Sequence, residues 1–281
     1  MSSSSSTPNS NNTNSYRGGG RGGGGSRGGS RGGGRGGGRG GYHKNSSSNN
    51  NDSRPTHFFA VKINSTSILD DLMNWQASAL LEHKNRVQTS TQQFDLEDYL
   101  IEREKMHFTM FVLTLDTQDD LNNCIQIFKS CQEELKKIMQ TNLEQLPFTF
   151  KLSGVHTFED KEFKKGRVIF SEPAFTHQNG QKTFLDLSNC IYQKLKENHI
   201  KVDASINTQI HCTLAKTSKS KKKNSPKAFP EYLYRHKCDT VFGETDTDQG
   251  IETIGEILLC RMKGPNGSDG FYHVEERVSL I

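Results

Sequence analysis

The chain has 281 residues, 31% of them hydrophobic and 24% charged, with a net charge of +4. It offers no run near the ~20 apolar residues of a membrane span, no signal-peptide core, and a Met-Ser start without a myristoylation glycine. Its six cysteines show no CxxC spacing, so they read as free thiols of a reducing compartment rather than a disulfide scaffold or zinc module.

Residues 1–55 form the first element. Ser and Asn tracts lead into "YRGGGRGGGGSRGGSRGGGRGGGRGGY". With no apolar run to offset ordering entropy, this tail is expected to be disordered. Eight Lys and Arg against one Asp give it +7 and leave the remainder at −3 against the chain total of +4. Arg17, Arg21, Arg27, Arg31, Arg35 and Arg39, flanked by Tyr16 and Tyr42, make an RGG box suited to pairing with phosphates and stacking on bases. RNA association is favoured over a merely solubilising linker.

Residues 56–281 carry the pattern of one folded domain. "HFFAVKI" (57–63) is a strand, and 68–86 has helical apolar spacing that buries Trp75. A polar connector, 86–105, leads to the strand "MHFTMFVLTL" (106–115). An amphipathic helix is predicted over 119–140, capped by Asp119. Residues 148–158 and 166–172 read as a hairpin around a charged turn. A helix over 181–198 precedes the strand in "INTQIHCTLAKTSKS" (206–220). The stretch "PKAFPEYLYRHK" (226–237) suggests a short helix started by Pro226 or Pro230. Two strands, 251–262 and 270–281, close the chain around "KGPNGSDG". This order predicts an α+β protein of two similar lobes, each with a sheet and outer helices, around a central cleft.

Two strands share one pattern. His107-x-Thr109 and His211-x-Thr213 are 104 residues apart. Residues i and i+2 of a strand share a face, so each imidazole stands beside a hydroxyl while Ile210, Cys212 and Leu214 point away. A single such pair is more often a satisfied structural histidine. Two, one per lobe, can divide proton work across a cleft, one imidazole accepting a proton and the other donating one. Two threonine hydroxyls can hold the non-bridging oxygens of a phosphate. No metal or other cofactor is called for. Cys212 is discounted as a nucleophile because strand alternation turns it away. His57, His156 and His273 belong to no such pair and read as structural or exposed. Lys216 and Ser218 are close enough to Thr213 to reach a terminal phosphate. "KSKKKNSPK" (219–227) fits a nuclear-localisation patch, a phosphate guide or a solvated loop.

These motifs, with "HFFAVKI" and the end "IGEILLCRMKGPNGSDGFYHVEERVSLI", resemble the 2H phosphoesterase superfamily, whose fold is the bilobal LigT-like one. The likeness is closer to the central, nuclear-localisation-signal-containing domain of gamma-type A-kinase anchoring proteins, and it spans residues 57–281. It implies that His107 and His211 are catalytic, with Thr109 and Thr213 holding phosphate, in a phosphodiesterase acting on 2',5'- or 2',3'-cyclic linkages of RNA or oligonucleotides. It further implies a 5'-nucleotide such as AMP or CMP as ligand. The other reading is a non-enzymatic nucleotide- or RNA-binding scaffold of the anchoring or transcription-coactivator type. The branch's helix for the kinase regulatory subunit comes after this domain. Here the chain stops at Ile281, so kinase anchoring is not expected. A monomer in the nucleus, the cytoplasm or both is expected, with no membrane partner.

Overall fold

The computed structural model describes residues 54–87, 94–158, 166–203, 205–222, 225–235, 237, 239–243 and 250–281. The tail through residue 53, with its expected disorder and its arginines, and the charged turn at 159–165 lie outside the described residues. In chain order the elements are β1 (His57–Lys62), α1 (Thr66–Val87), β2 (His107–Leu113), α2 (Gln118–Ser130), α3 (Gln132–Asn142), β3 (Thr149–Thr157), β4 (Val168–Phe175), α4 (Gly180–Glu197), β5 (Cys212–Lys216), β6 (Val241–Phe242), β7 (Glu252–Thr253), β8 (Glu256–Arg261) and β9 (Val274–Ser279). Two 3-10 turns, Leu96–Tyr99 and Arg103–Lys105, lead into β2.

The fold is α+β with two lobes. One holds β2-β1-β8-β9 and the other β6-β3-β4-β5, with β7 on β3. Their sheets join edge to edge where β2 meets β5, through the single register pair Phe108↔Cys212. The helices cover one face, α3 lying along α4 and α2 touching α4 and β9. Beneath them one apolar core runs through both lobes and includes Phe59, Phe108, Phe111, Phe128, Phe150 and Phe184. Each such ring contributes about 1.5–3 kcal/mol by leaving water. A smaller cluster of Phe58, Ala60, Leu258, Cys260 and Phe271 packs on the opposite face.

Four local expectations are corrected. The helix predicted over 119–140 is two helices. At Cys131 the N–H bonds the Phe128 carbonyl three residues back, and the apolar stripe continues across the step through Leu121, Cys124, Phe128, Leu135 and Met139. Its cap is Thr117 rather than Asp119. The Thr117 hydroxyl accepts from the Asp120 N–H, and the Asp120 carboxylate accepts from the Thr117 N–H, which satisfies two orphan donors reciprocally. The predicted strand 251–262 is divided between the lobes. β7 belongs to one sheet and β8 to the other, with Ile254 and Gly255 making the crossing. The described residues of 226–237 include a single 3-10 turn, Glu231–Leu233, after Pro230, where buried Phe229 and Leu233 pin the segment into the core. Glycine is required where two backbones approach closely: Gly243 has φ 93°, and a Cβ there would meet the Gly250 carbonyl oxygen at 2.6 Å.

Candidate active site

The two His-x-Thr motifs meet at the seam between the lobes. Counting outward from the antiparallel pair Phe108↔Cys212, His107 stands across from Thr213 and Thr109 across from His211. All four side chains are therefore on one face. Phe108 and Cys212 point into the core with no exposed surface.

Each strand carries a bulge directly after its motif. Between β1 and β2 the register passes from Phe59↔Phe111 to Ala60↔Thr109 and skips Met110. Between β4 and β5 it passes from Ile169↔Ala215 to Phe170↔Thr213 and skips Leu214. The bulges bury two successive residues, Met110-Phe111 and Leu214-Ala215. They also return Val112 and Lys216 to the face that carries the His and Thr side chains. The skipped carbonyls accept from the lead-in of the other motif. The Asn207 N–H donates to the Met110 carbonyl at 3.0 Å, and the Ile101 N–H to the Leu214 carbonyl at 2.9 Å. Each motif thus closes the irregularity of its twin. Two side-chain amides complete the lock. Gln76 donates to the Ile101 and Leu214 carbonyls at 2.9 and 3.5 Å, and Asn207 to the Thr109 carbonyl at 3.4 Å.

The imidazoles are held alike. His107 donates from Nδ1 to the Lys105 carbonyl and His211 from Nδ1 to the Gln209 carbonyl, both at 2.7 Å and both two residues back. In the neutral ring that tautomer leaves each Nε2 as the unprotonated nitrogen. The His107 Nε2 accepts from the Thr109 hydroxyl at 3.0 Å. Burial pulls His107 down to about 4, against the Lys105 carbonyl, and the charges of Lys216 and His211 add to the effect. Burial also lowers His211, opposed by the Gln209 carbonyl and the Glu172 carboxylate. Aromatic rings wall both. Phe58, Tyr272 and Phe271 lie 5.2, 5.5 and 6.0 Å from His107. Phe170 and Phe158 lie 5.1 and 5.2 Å from His211.

Of the other residues singled out from sequence, Lys216 is on the site face and Ser218 is exposed in the turn beyond it. Cys212 is buried, its thiol pushed up to about 12 and therefore neutral. Trp75 packs in the core. His57 and His273 flank Glu275 at 3.7 Å each, and His156 lies 6.0 Å from Phe170. In the basic run, Lys219 is tied to Glu102 at 3.1 Å, and Lys222 pairs with Asp98. Among the described residues no three His, Cys, Asp or Glu side chains are grouped to hold a metal ion, and no helix is long and apolar enough to cross a membrane. Sequence reasoning missed Gln76, Asn207, Lys105 and the aromatic walls. Only the aromatic "GFY" beside the last strand left any local signal.

The family model "AKAP7 2'5' RNA ligase-like domain" matches residues 55–280. Human A-kinase anchor protein 7 isoform gamma is 25% identical over 231 residues, 82% of this chain and 58% of the relative, so the chain spans a little over half of that protein's length. The structure of E. coli LigT complexed with 3'-AMP aligns with a TM-score of 0.48 and 13% identity, covering 80% of this chain and 98% of that one. A Thermus thermophilus protein, TT0787, aligns with a TM-score of 0.40 and 17% identity over 80% and 97% of the two chains.

Proposed function

The chain belongs to the AKAP7 2'5' RNA ligase-like domain family, and from that premise we propose that it is a metal-independent phosphodiesterase acting on 2',5'- or 2',3'-cyclic ribonucleotide linkages. The observation that carries this reading is the strand register, with His107 opposite Thr213 and Thr109 opposite His211. Thr109 and Thr213 hold the non-bridging oxygens of the phosphate. On a 2',5' linkage, the Nε2 of His107 takes the proton of the ribose 3'-hydroxyl as that oxygen bonds to phosphorus. The bond from phosphorus to the 5'-oxygen breaks, and His211 gives the departing oxygen a proton, leaving a 2',3'-cyclic phosphate and a 5'-hydroxyl. With a cyclic substrate, water takes the place of the 3'-hydroxyl. His107, the more strongly lowered of the two, is suited to be the base. His211, which has Glu172 nearby to favour its charged form, is suited to be the acid. The negative charge of a bound phosphate raises both. The arginine-glycine tail adds RNA association, and residence in the nucleus or cytoplasm accords with the same reading.

The test incubates the full chain, with chelator, with 2',5'-linked oligoadenylate, 3',5'-linked oligoadenylate and a 2',3'-cyclic nucleotide, beside a His107→Ala/His211→Ala double variant. Cleavage of the 2',5' or the cyclic bond, lost in the variant, supports the reading. Turnover that survives in the variant overturns the two-histidine mechanism. Saturable nucleotide or RNA binding without cleavage of any substrate replaces it with the scaffold.

A further inference from the structure

The two motifs are close to symmetric, and they differ in the side chain presented just past each bulge. After Thr109 the residue returned to the site face is Val112, which packs on the apolar cluster of Phe58 and Leu258. After Thr213 it is Lys216. That side chain is half-buried and among the described residues makes no ion pair of its own. Two more ammonium groups stand beside it and share one carboxylate. Lys219 is 3.1 Å from Glu102, and Lys105 is 4.0 Å from it. The Lys105 ammonium also lies 5.6 Å from the centre of the Tyr272 ring, which is itself 5.5 Å from His107. Three cations and one anion therefore cluster around Lys216, whose charge reaches His107, with positive charge in excess. Burial lowers the Lys216 pKa, and although Glu102 opposes this, Lys219 and Lys105 lower it further. A half-buried ammonium that shares its one nearby carboxylate with two other cations costs free energy that an incoming anion relieves.

A single phosphodiester at the histidines carries one negative charge and has two hydroxyls and two imidazoles to meet it. It leaves the lysines unanswered. We propose that Lys216, with Lys105 and Lys219, forms a subsite for a second phosphate beside His107, so that the preferred ligands are ribonucleotides with two neighbouring phosphate groups. This rests on the reading that the histidines and threonines hold the first phosphate. The second group could be the β-phosphate of a 5'-diphosphate or a phosphate on another hydroxyl of the same ribose, as along a strand. The two share the chemistry of an extra phosphoryl anion.

The experiment is equilibrium titration of the full chain with AMP, ADP and adenosine 3',5'-bisphosphate. In the wild-type protein, ADP or the bisphosphate should bind about tenfold tighter than AMP, the value of one added charge-assisted contact. A gain with ADP alone assigns the subsite to a diphosphate, and a gain with the bisphosphate alone to a strand neighbour. In Lys216→Gln the ratio should fall to within about twofold of unity, and in Lys219→Gln it should fall in part. If Lys216→Gln does not fold, the wild-type salt dependence carries the test, since a second phosphate contact steepens the fall of affinity with salt. Equal affinities for all three ligands, or a ratio unchanged in both lysine variants, would overturn the subsite. The affinity ratio needs no turnover, so an inactive protein that keeps it has lost the phosphodiesterase reading and not the subsite. Binding of all three ligands unaffected by His107→Ala/His211→Ala overturns the histidine site beneath both.

Discussion

At the scale of residues, the main-chain carbonyls of Lys105 and Gln209 decide the chemistry of the histidines. By taking the Nδ1 protons they turn both Nε2 atoms toward the shared face. The pH dependence of kcat/KM is set by the free-protein values. Under the proposed roles, His107 loses its capacity as base as pH falls through about 4. His211 loses its capacity as acid as pH rises through a value below its ordinary 6.5. The profile on a small substrate should be a bell with its maximum on the acid side of 6.5; a maximum above pH 7 would refute the assignment of roles. Stability moves the other way. Between about 4 and 6.5 the unfolded His107 binds a proton that the folded one refuses. The His107 contribution to stability is therefore constant above that window, falls as pH drops through it, by at most about 1.4 kcal/mol per pH unit, and levels off below it. Urea midpoints at pH 7 and 5 check this, and His107→Gln should flatten the slope.

At the scale of elements, the site depends on two bulges and on the groups that satisfy them. Gln76, buried on α1, reaches the carbonyls of both Ile101 and Leu214. Gln76→Leu keeps the shape and removes the donor, leaving the Ile101 carbonyl without it while the Leu214 carbonyl keeps the Ile101 N–H. It should cost about 1–3 kcal/mol in urea unfolding and lower turnover as well, because the bulge it supports aims Lys216. Helix α1 has no acidic residue in its first turn. The negative charge that complements the positive start of the helix is supplied from a distance by Glu252 on β7, whose carboxylate accepts from the N–H groups of Asn64 and Ser65. Glu252→Ala should therefore destabilise by about 1–3 kcal/mol, measured by urea unfolding, with the site residues otherwise untouched. The period of apolar residues located most of these elements. The bulges left no such mark, because a skipped residue changes the face of a side chain without changing composition, and the partners of Met110 and Leu214 are about a hundred residues away.

At the scale of the whole molecule, the two lobes are one cooperative object. Their sheets share a single seam, yet the apolar core beneath it is continuous from Phe59 to Phe184, and α1 comes after a strand of one lobe while packing against β6 of the other. Trp75, the only tryptophan of the chain, sits in that core. Its fluorescence and the far-UV circular dichroism should report the same urea midpoint; two separated transitions would mean that the lobes unfold independently. By itself, the sequence determined the α+β class and most strands and helices, and it singled out the two His-x-Thr pairs as candidates, because alternation and amphipathic period are local properties. Only the tertiary structure decided that these four share one face across a seam of adjacent strands, that a bulge returns Lys216 to that face, and that Asn207, Gln76 and the aromatic rings surround them. Those facts depend on strand register, and register is set by pairing between segments far apart in the chain, which no local pattern encodes.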